Sequence, residues 1–232
     1  MSDYYQLTTV NDVQQDSQQI LAILTDIKNG ARTNDLRLLN YYRSIPVNYG
    51  ATVEHIDGDV VELAVQQQQA IVMQMEKQTF IKSDHFPKDV LAAVSYINID
   101  KCRALVSKFA YAVIRAERRQ FVRVEVRERI EVGFTATGAT FNGTLHDISI
   151  GGLAVAAELA NPPEDNLVGT VTLKLPDTPC EMPAKLLRRI EVDDRSLFIM
   201  ETRPNARAEK AISQFIFQRQ VEIIRELKDS IF

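Results

Sequence analysis

The spacing of apolar residues changes twice along the chain and predicts helices at both ends of a strand-rich middle. In residues 11–29 apolar side chains recur at helical spacing, and Gly30 follows as a stop. A second short helix is predicted over residues 34–43, and Pro46 would end it. The helical spacing returns at Asn205. It predicts a terminal helix that either seals its own domain or pairs with another subunit.

Between these helices the pattern becomes one of short strands separated by turn residues. Two apolar runs flank Asp57-Gly58, a dipeptide that is typical of the tight turn in a β-hairpin. The strands predicted in the first half are residues 47–54, 60–65, 70–76, 79–83, 92–99 and 103–112, with a turn at 66–69. Those predicted in the second half are residues 121–126, 130–136, 139–147, 153–157, 168–175, 182–190 and 197–202. The fold class is therefore mainly β, with two small antiparallel β-barrels and flanking N-terminal and C-terminal α-helices.

A charged stretch interrupts the strand pattern near the middle of the chain and predicts a linker between two domains. The predicted organisation is an N-terminal helical segment at 1–44, a β-barrel-like domain at 45–113, an arginine-rich linker at 114–123, a second β-barrel at 124–204 and a C-terminal helix at 205–232.

Composition limits the classes of function. The 232 residues are 45% hydrophobic and carry a net charge of −4, which is ordinary for a soluble globular protein and argues against bulk nucleic-acid binding. No apolar run is long enough to span a membrane, and the polar N-terminus is unlike a signal peptide, so a cytoplasmic protein is expected. Cys102 and Cys180 are isolated, and His55, His85 and His146 lack metal-ligand spacing. The sequence has no Gly-rich phosphate loop, nucleophile elbow or HExxH motif, so no catalysis and no cofactor are expected.

The first of two blocks that carry candidate chemistry is R-A-E-R-R-Q-F-V-R-V at residues 115–124. Arg119 and Arg123 are four positions apart, with Arg115 and Arg118 beside them. The guanidinium group is a planar fork of donors that matches a phosphate or the O6/N7 edge of guanine, and it also stacks on purine faces. On a flexible arm these arginines could therefore close over a nucleotide from several sides.

The second block is D-I-S-I-G-G at residues 147–152. The Asp147 carboxylate only accepts hydrogen bonds, so its natural partner is a donor edge such as the N1–H and exocyclic amine of guanine. Ser149 adds a small donor and acceptor. Gly151 and Gly152 let a ligand approach the backbone closely and tolerate positive φ. A ligand that contains both guanine and phosphate would use every one of these groups, whereas a lone phosphate would be repelled by Asp147.

The two blocks together resemble the PilZ domain, the bacterial receptor domain for cyclic di-GMP. In that family an Arg-x-x-x-Arg arm precedes a β-barrel, and Asp/Asn-x-Ser-x-x-Gly lies on the barrel surface. Residues 119–123 and 147–152 match these motifs, and Arg118 matches an extra arginine that favours a self-stacked pair of ligand molecules. The resemblance covers about residues 115–205 and makes the second barrel a PilZ-type barrel. The domain before it resembles, by architecture only, the two-domain flagellar-brake type.

The resemblance implies a receptor without catalysis, whose ligand is cyclic di-GMP and whose output is a protein partner such as flagellar or biofilm machinery. Arginines on an interdomain linker repel one another, and a ligand with two phosphates would order them and fix the angle between the domains. No nucleic-acid partner and no membrane insertion are expected, and a homodimer stays open.

Other interpretations of the same residues stay open. The arginine block could be a solvated, salt-bridged segment, and the second block could be a strand-end turn. Arg115 could contact the ligand or form an interdomain ion pair, one of Arg188 and Arg189 could face the ligand, and His146 could line the pocket. As a whole, the protein could be a PilZ-like scaffold that has lost ligand binding, a nucleotide-acting enzyme or an RNA-binding barrel.

Overall fold

The computed structural model describes residues 5–115, 121–176, 178–192 and 195–229. These residues form three helices and fifteen strands and divide into two units. The first unit comprises Met1–Tyr42, Pro46–Gln120 and Leu227–Phe232, and the second comprises Arg43–Ile45 and Phe121–Glu226.

The first unit is built on one sheet and two helices. Its elements are β1 (Tyr5–Leu7), α1 (Val13–Lys28), β2 (Arg37–Tyr42), β3 (Ile45–Gly50), β4 (Thr52–Asp57), β5 (Val60–Ala64), α2 (Gln67–Glu76), β6 (Gln78–Lys82), β7 (Asp89–Asn98) and β8 (Arg103–Ile114). The strand order is β3-β2-β6-β7-β8-β5-β4, with β1 paired to β8. Within the described residues these pairings leave β3 and β4 at the two ends of the sheet, so closure of this unit into the predicted barrel is not shown.

The predicted first helix is confirmed as α1. The Asp12 side chain caps it by accepting hydrogen bonds from the amides of Gln14 and Gln15. Ile20 and Leu24 are fully buried in the core between α1 and the sheet. The apolar stripe that predicted the helix is thus the face that packs.

The Asp57-Gly58 hairpin is also confirmed. β4 and β5 are antiparallel, with Asp57 opposite Val60. Gly58 has a φ of +58°, a left-handed conformation that glycine adopts without strain.

Two predicted elements of the first unit were wrong in type. Residues 34–43 were predicted as a helix but contain β2, and residues 70–76 were predicted as a strand but lie in α2. In both segments consecutive residues are buried: Leu38 and Leu39 belong to different core clusters, and α2 is buried from Gln69 to Met73. In a run of consecutive buried residues, apolar and polar positions do not alternate with the spacing that distinguishes a helix from a strand. The hydrophobic pattern alone therefore does not separate the two.

The second unit is a closed antiparallel barrel with one long helix. Its elements are β9 (Val124–Glu125), β10 (Glu131–Ala136), β11 (Ala139–Ser149), β12 (Gly152–Ala156), β13 (Val168–Lys174), β14 (Pro179–Val192), β15 (Arg195–Thr202) and α3 (Ala206–Asp229). The order is β10-β13-β14-β15-β12-β11, and pairing of β10 with β11 closes six strands into the predicted barrel. The short strand β9 pairs with β11 outside this circle.

The interior of the barrel holds an aromatic cluster. The Phe141 ring lies 5.4 Å from the ring of Phe134 and 4.9 Å from that of Phe198, centroid to centroid. All three side chains are buried, and tilted aromatic pairs at this spacing contribute beyond their buried area. Phe141 lies on β11, so this cluster packs against the strand whose end carries the second block of the sequence, residues 147–152, here called the second motif.

The terminal helix predicted from Asn205 is confirmed as α3. The side chain of Asn205 accepts a hydrogen bond from the amide of Ala208 at 3.0 Å and caps its first turn. Among the described residues, no helix combines the length and apolar character needed to cross a bilayer.

Candidate ligand-binding site

The second motif lies at the end of β11, where the strand is irregular. The register between β11 and β12 shifts between Leu145 and Asp147, so His146 sits in a bulge. Bulges re-aim side chains, and they are common next to functional sites. Ile148 points into the core and is fully buried. Asp147 precedes it on the opposite face of the strand and lies opposite Glu125 in the pairing of β11 with β9.

Arg123 of the first motif meets Asp147 of the second. Arg123 immediately precedes β9, and the pairing of β9 with β11 carries it to the end of that strand. Its Nε atom lies 3.4 Å from Oδ1 of Asp147, and the two side chains are 31% and 13% exposed. The two motifs are therefore in direct contact, although Arg123 and Asp147 are 24 positions apart in the sequence.

The contact between these two side chains is an ion pair that leaves hydrogen-bonding capacity unused. The Nε atom of Arg123 and the Oδ1 atom of Asp147 are both buried, and neither has a hydrogen-bond partner among the described residues. Buried polar atoms are nearly always hydrogen-bonded, and exceptions call for a specific explanation. Such atoms can form hydrogen bonds to a ligand that offers matching groups.

His146 is the second neighbour of Asp147 and is charged when its ring is protonated. Its Nδ1 atom lies 3.3 Å from Oδ2 of Asp147. This hydrogen bond is the largest influence on the imidazole and raises its pKa, with help from the charges of Asp147 and Glu125; burial and Arg195 act in the opposite direction. The net result is a His146 pKa above its ordinary value of 6.5.

We expect the His146 ring to titrate above pH 6.5 in the folded protein. Because folding raises this pKa, protonated His146 adds stability that is fully present below about pH 6.5 and is lost as the pH rises through the folded pKa. NMR titration of the ring should show the raised midpoint. The stability difference between the unmodified protein and His146→Gln should disappear at alkaline pH. A midpoint at or below 6.5, or a difference that grows with pH, would contradict this account.

The remaining residues of the second motif shape the turn from β11 to β12. The Ser149 hydroxyl is buried and donates to the carbonyl oxygen of Gly152 at 3.1 Å. Its oxygen still has lone pairs that can accept a hydrogen bond. Gly151 lies against Phe121, whose ring carbons would be 3.1–3.2 Å from an added Cβ. The hydrogen bond from Ser149 to Gly152 stabilises the turn that follows Asp147.

The role expected for the two glycines needs a correction. Neither Gly151 nor Gly152 has a positive φ. At Gly152 an added Cβ would lie 2.5 Å from the carbonyl oxygen of Met200 on β15. The absence of a side chain there is required by the close approach of two strands rather than by backbone conformation.

The other predicted arginines are not all part of this cluster. Arg115 lies just after β8 in the first unit, and its Nη2 atom donates to Oε1 of Gln6 at 2.9 Å. Arg118 and Arg119 lie outside the described residues. The described part of the site therefore consists of Arg123 and the second motif.

Sequence reasoning missed Arg219, a residue of α3 that contacts β9, the short strand that follows Arg123. Its side chain is only 4% exposed, and its Nε atom donates to the carbonyl oxygen of Glu125 at 3.2 Å. A signal was present in the sequence. Arg219 falls between Ile216 and Ile223 on the apolar stripe of the helix, where a charged residue is out of place.

The second motif and the barrel belong to a recognised domain. Residues 117–218 match the PilZ domain family, so the chain contains a PilZ domain, and the resemblance inferred from the two motifs is confirmed. No curated protein matches the chain.

Several solved structures are similar to this chain at low identity and with TM-scores below 0.5. The Bacillus subtilis inhibitor of motility MotI/DgrA is 15% identical, covers 81% of this chain and 95% of its own, and has a TM-score of 0.45. Escherichia coli YcgR in complex with c-di-GMP is 16% identical, covers 96% and 100%, and scores 0.43. The Klebsiella MrkH–c-di-GMP complex ("K. pneumonia") is 12% identical, covers 96% and 99%, and scores 0.44. The presence of a PilZ domain therefore rests on the match of residues 117–218 to that family and not on these structures.

Proposed function

We propose that this protein is a cytoplasmic receptor for cyclic di-GMP and that it binds the dinucleotide between the arginine arm and the second motif. The observation that carries the proposal is the contact of Arg123 with Asp147, which joins the two motifs through buried atoms with unused hydrogen-bonding capacity. The residues assigned to the ligand are Arg115, Arg118, Arg119, Arg123, Asp147, Ser149, Gly151 and Gly152.

The chemistry of the pair suits an exchange of partners. The donor edge of guanine, N1–H and the exocyclic amine, can replace Arg123 at the carboxylate of Asp147. The Arg123 guanidinium can then turn its fork to a phosphate or to the O6/N7 edge of the base. Each charged group keeps an oppositely charged or hydrogen-bonding partner throughout, so neither is left buried and unpaired.

The other arginines of the arm neutralise the ligand. Cyclic di-GMP carries two phosphate charges, and Arg118 and Arg119 are placed by sequence beside Arg123 to meet them. A stacked pair of ligand molecules, which the PilZ resemblance favours, would bring four phosphate charges and would use the additional arginine.

Calorimetric titration tests the receptor function directly. The unmodified protein should bind cyclic di-GMP to saturation. It should bind cyclic di-AMP much more weakly, because adenine has an acceptor at N1 in place of N1–H and has no 2-amino group, so its edge offers Asp147 no matching pair of donors. Absence of heat and of saturation would favour a scaffold that works through protein contacts alone.

Recovery of the ligand separates a receptor from an enzyme. Among the described residues no cluster of three His, Cys, Asp or Glu side chains could hold a metal ion, and Asp147 is already engaged by Arg123 and His146. We expect chromatography after long incubation to return cyclic di-GMP unchanged. Appearance of a linear dinucleotide or of GMP would assign a hydrolytic activity instead.

We further propose that ligand binding orders the linker and changes the orientation of the two domains. Mutual repulsion of the arginines in the free linker and their neutralisation by bound phosphate supply the driving force. Small-angle scattering at saturating cyclic di-GMP should differ from the profile of the free protein. Identical profiles would reject this mechanism while leaving binding itself intact. The output would be a surface offered to a protein partner in motility, attachment or matrix production.

A further inference from the structure

Arg219 is the only buried basic residue among those that the structure describes. It lies on the inner face of α3, one turn before the fully buried Ile223. Burying a guanidinium group is costly, and an apolar residue at such a position usually gives equal or greater stability. A role beyond packing therefore has to account for an arginine here.

The contacts of Arg219 lead from the helix to the ligand site. Its Nε atom donates to the carbonyl oxygen of Glu125 at 3.2 Å. Its Nη1 atom donates to Glu222 at 2.8 Å and lies 3.6 Å from Glu226. Glu125 is directly opposite Asp147 in the pairing of β9 with β11. One residue therefore connects α3 with the strand that faces the carboxylate of the second motif.

Carboxylates on α3 and at Glu128, before β10, stabilise the charge of Arg219. Burial lowers the pKa of the guanidinium, but the hydrogen bond to Glu222 and the charges of Glu128, Glu226 and Glu222 outweigh it and raise the pKa. Glu222, Glu226 and Glu128 thus offset the cost of burying the guanidinium charge. The remaining hydrogen bond of Arg219, to the carbonyl oxygen of Glu125, connects the helix to β9.

The strand that Arg219 holds is too short to fix itself. β9 has two residues and two register pairs, Val124 with Ile148 and Glu125 with Asp147. One further backbone bond follows, from the Val126 amide to the carbonyl oxygen of His146 at 2.9 Å. Arg123 precedes this strand directly, so any movement of β9 moves Arg123 relative to Asp147.

We propose that Arg219 is a positioning residue for the ligand site, which clamps β9 so that Arg123 faces Asp147. This role rests on the proposed receptor function. Arg219 acts through the backbone of Glu125 and does not touch the ligand.

Replacing Arg219 with methionine separates positioning from packing. Methionine has similar length and suits the apolar stripe, but it cannot donate to the Glu125 carbonyl. We expect cyclic di-GMP to bind about 5- to 10-fold more weakly, the effect of one lost hydrogen bond of ordinary strength. The melting temperature should stay the same or rise. In the free protein, the amide of Val126 should exchange with solvent faster.

Ile223→Ala is the matched control. It removes a fully buried side chain from the same helix face and leaves the hydrogen bond from Arg219 to Glu125 in place. It should lower the melting temperature and leave both the affinity and the Val126 exchange rate unchanged.

Two results would overturn the proposal: unchanged affinity in Arg219→Met, or an equal loss of affinity in Ile223→Ala. If the unmodified protein fails to bind cyclic di-GMP, the receptor function itself fails. The exchange rate of Val126 then still decides whether Arg219 holds β9, and an unchanged rate would reject the clamp.

Discussion

Replacing Arg123 with alanine should weaken cyclic di-GMP binding by about 100-fold or more, because one truncation removes two favourable effects at once. The ligand loses the guanidinium fork that meets its phosphate or guanine edge. In addition, Asp147, which is only 13% exposed, keeps its negative charge without Arg123 beside it and then repels an anionic ligand. Calorimetric titration at fixed ionic strength measures the loss.

Arg127→Ala is the control for this experiment, because it removes the same charge four positions further along. The Arg127 side chain is 56% exposed and pairs with Glu226 at 3.3 Å rather than with Asp147. We expect its affinity to stay within about threefold of the unmodified protein, the scale of a surface ion pair. The circular dichroism spectrum should be unchanged in both variants. Full affinity in Arg123→Ala would show that the ligand binds elsewhere.

Replacing Gly152 with alanine should destabilise the barrel by about 1–3 kcal/mol, the usual range for an overpacked core. The new Cβ would lie 2.5 Å from the carbonyl oxygen of Met200, so β12 and β15 have to separate. Gly151→Ala is the control, since the ring of Phe121 near its Cβ is a side chain that can shift. We expect this control to lose less than half as much stability.

Chemical denaturation can assign the Gly152 effect to the second unit. All seven tyrosines lie between residues 4 and 111, and the chain has no tryptophan, so tyrosine fluorescence reports the first unit alone. Circular dichroism follows both units. The expected result is an earlier transition by circular dichroism without a change in the tyrosine signal. Unchanged stability of Gly152→Ala would mean that the strands have room for a side chain, and would assign the glycine to ligand approach.

Local chemistry predicted the parts of the fold in which one face of an element is buried. The stripe that contains Ile20 and Leu24 predicted α1, and Asp57-Gly58 predicted its hairpin because the turn needs a left-handed residue. β2 and α2 were assigned wrongly because each contains a run of consecutive buried residues, 38–40 in β2 and 69–73 in α2, in which buried and exposed positions do not alternate with a recognisable period.

The site was predictable in its residues but not in its geometry. Arg123 and Asp147 were identified from their motifs. Their contact depends on the pairing of β9 with β11, which the sequence of neither motif specifies. The bulge at His146 follows from strand register and is equally hidden from local pattern. Arg219 could have been noticed as a charge on an apolar stripe, but only the structure shows that it reaches Glu125.

A crystal structure of the protein with cyclic di-GMP would test the central claim most directly. We predict that a guanine edge will replace Arg123 at the Asp147 carboxylate, and that the Arg123 guanidinium will contact the same ligand. A ligand bound away from both side chains, with the Arg123–Asp147 ion pair intact beneath it, would contradict the proposed site.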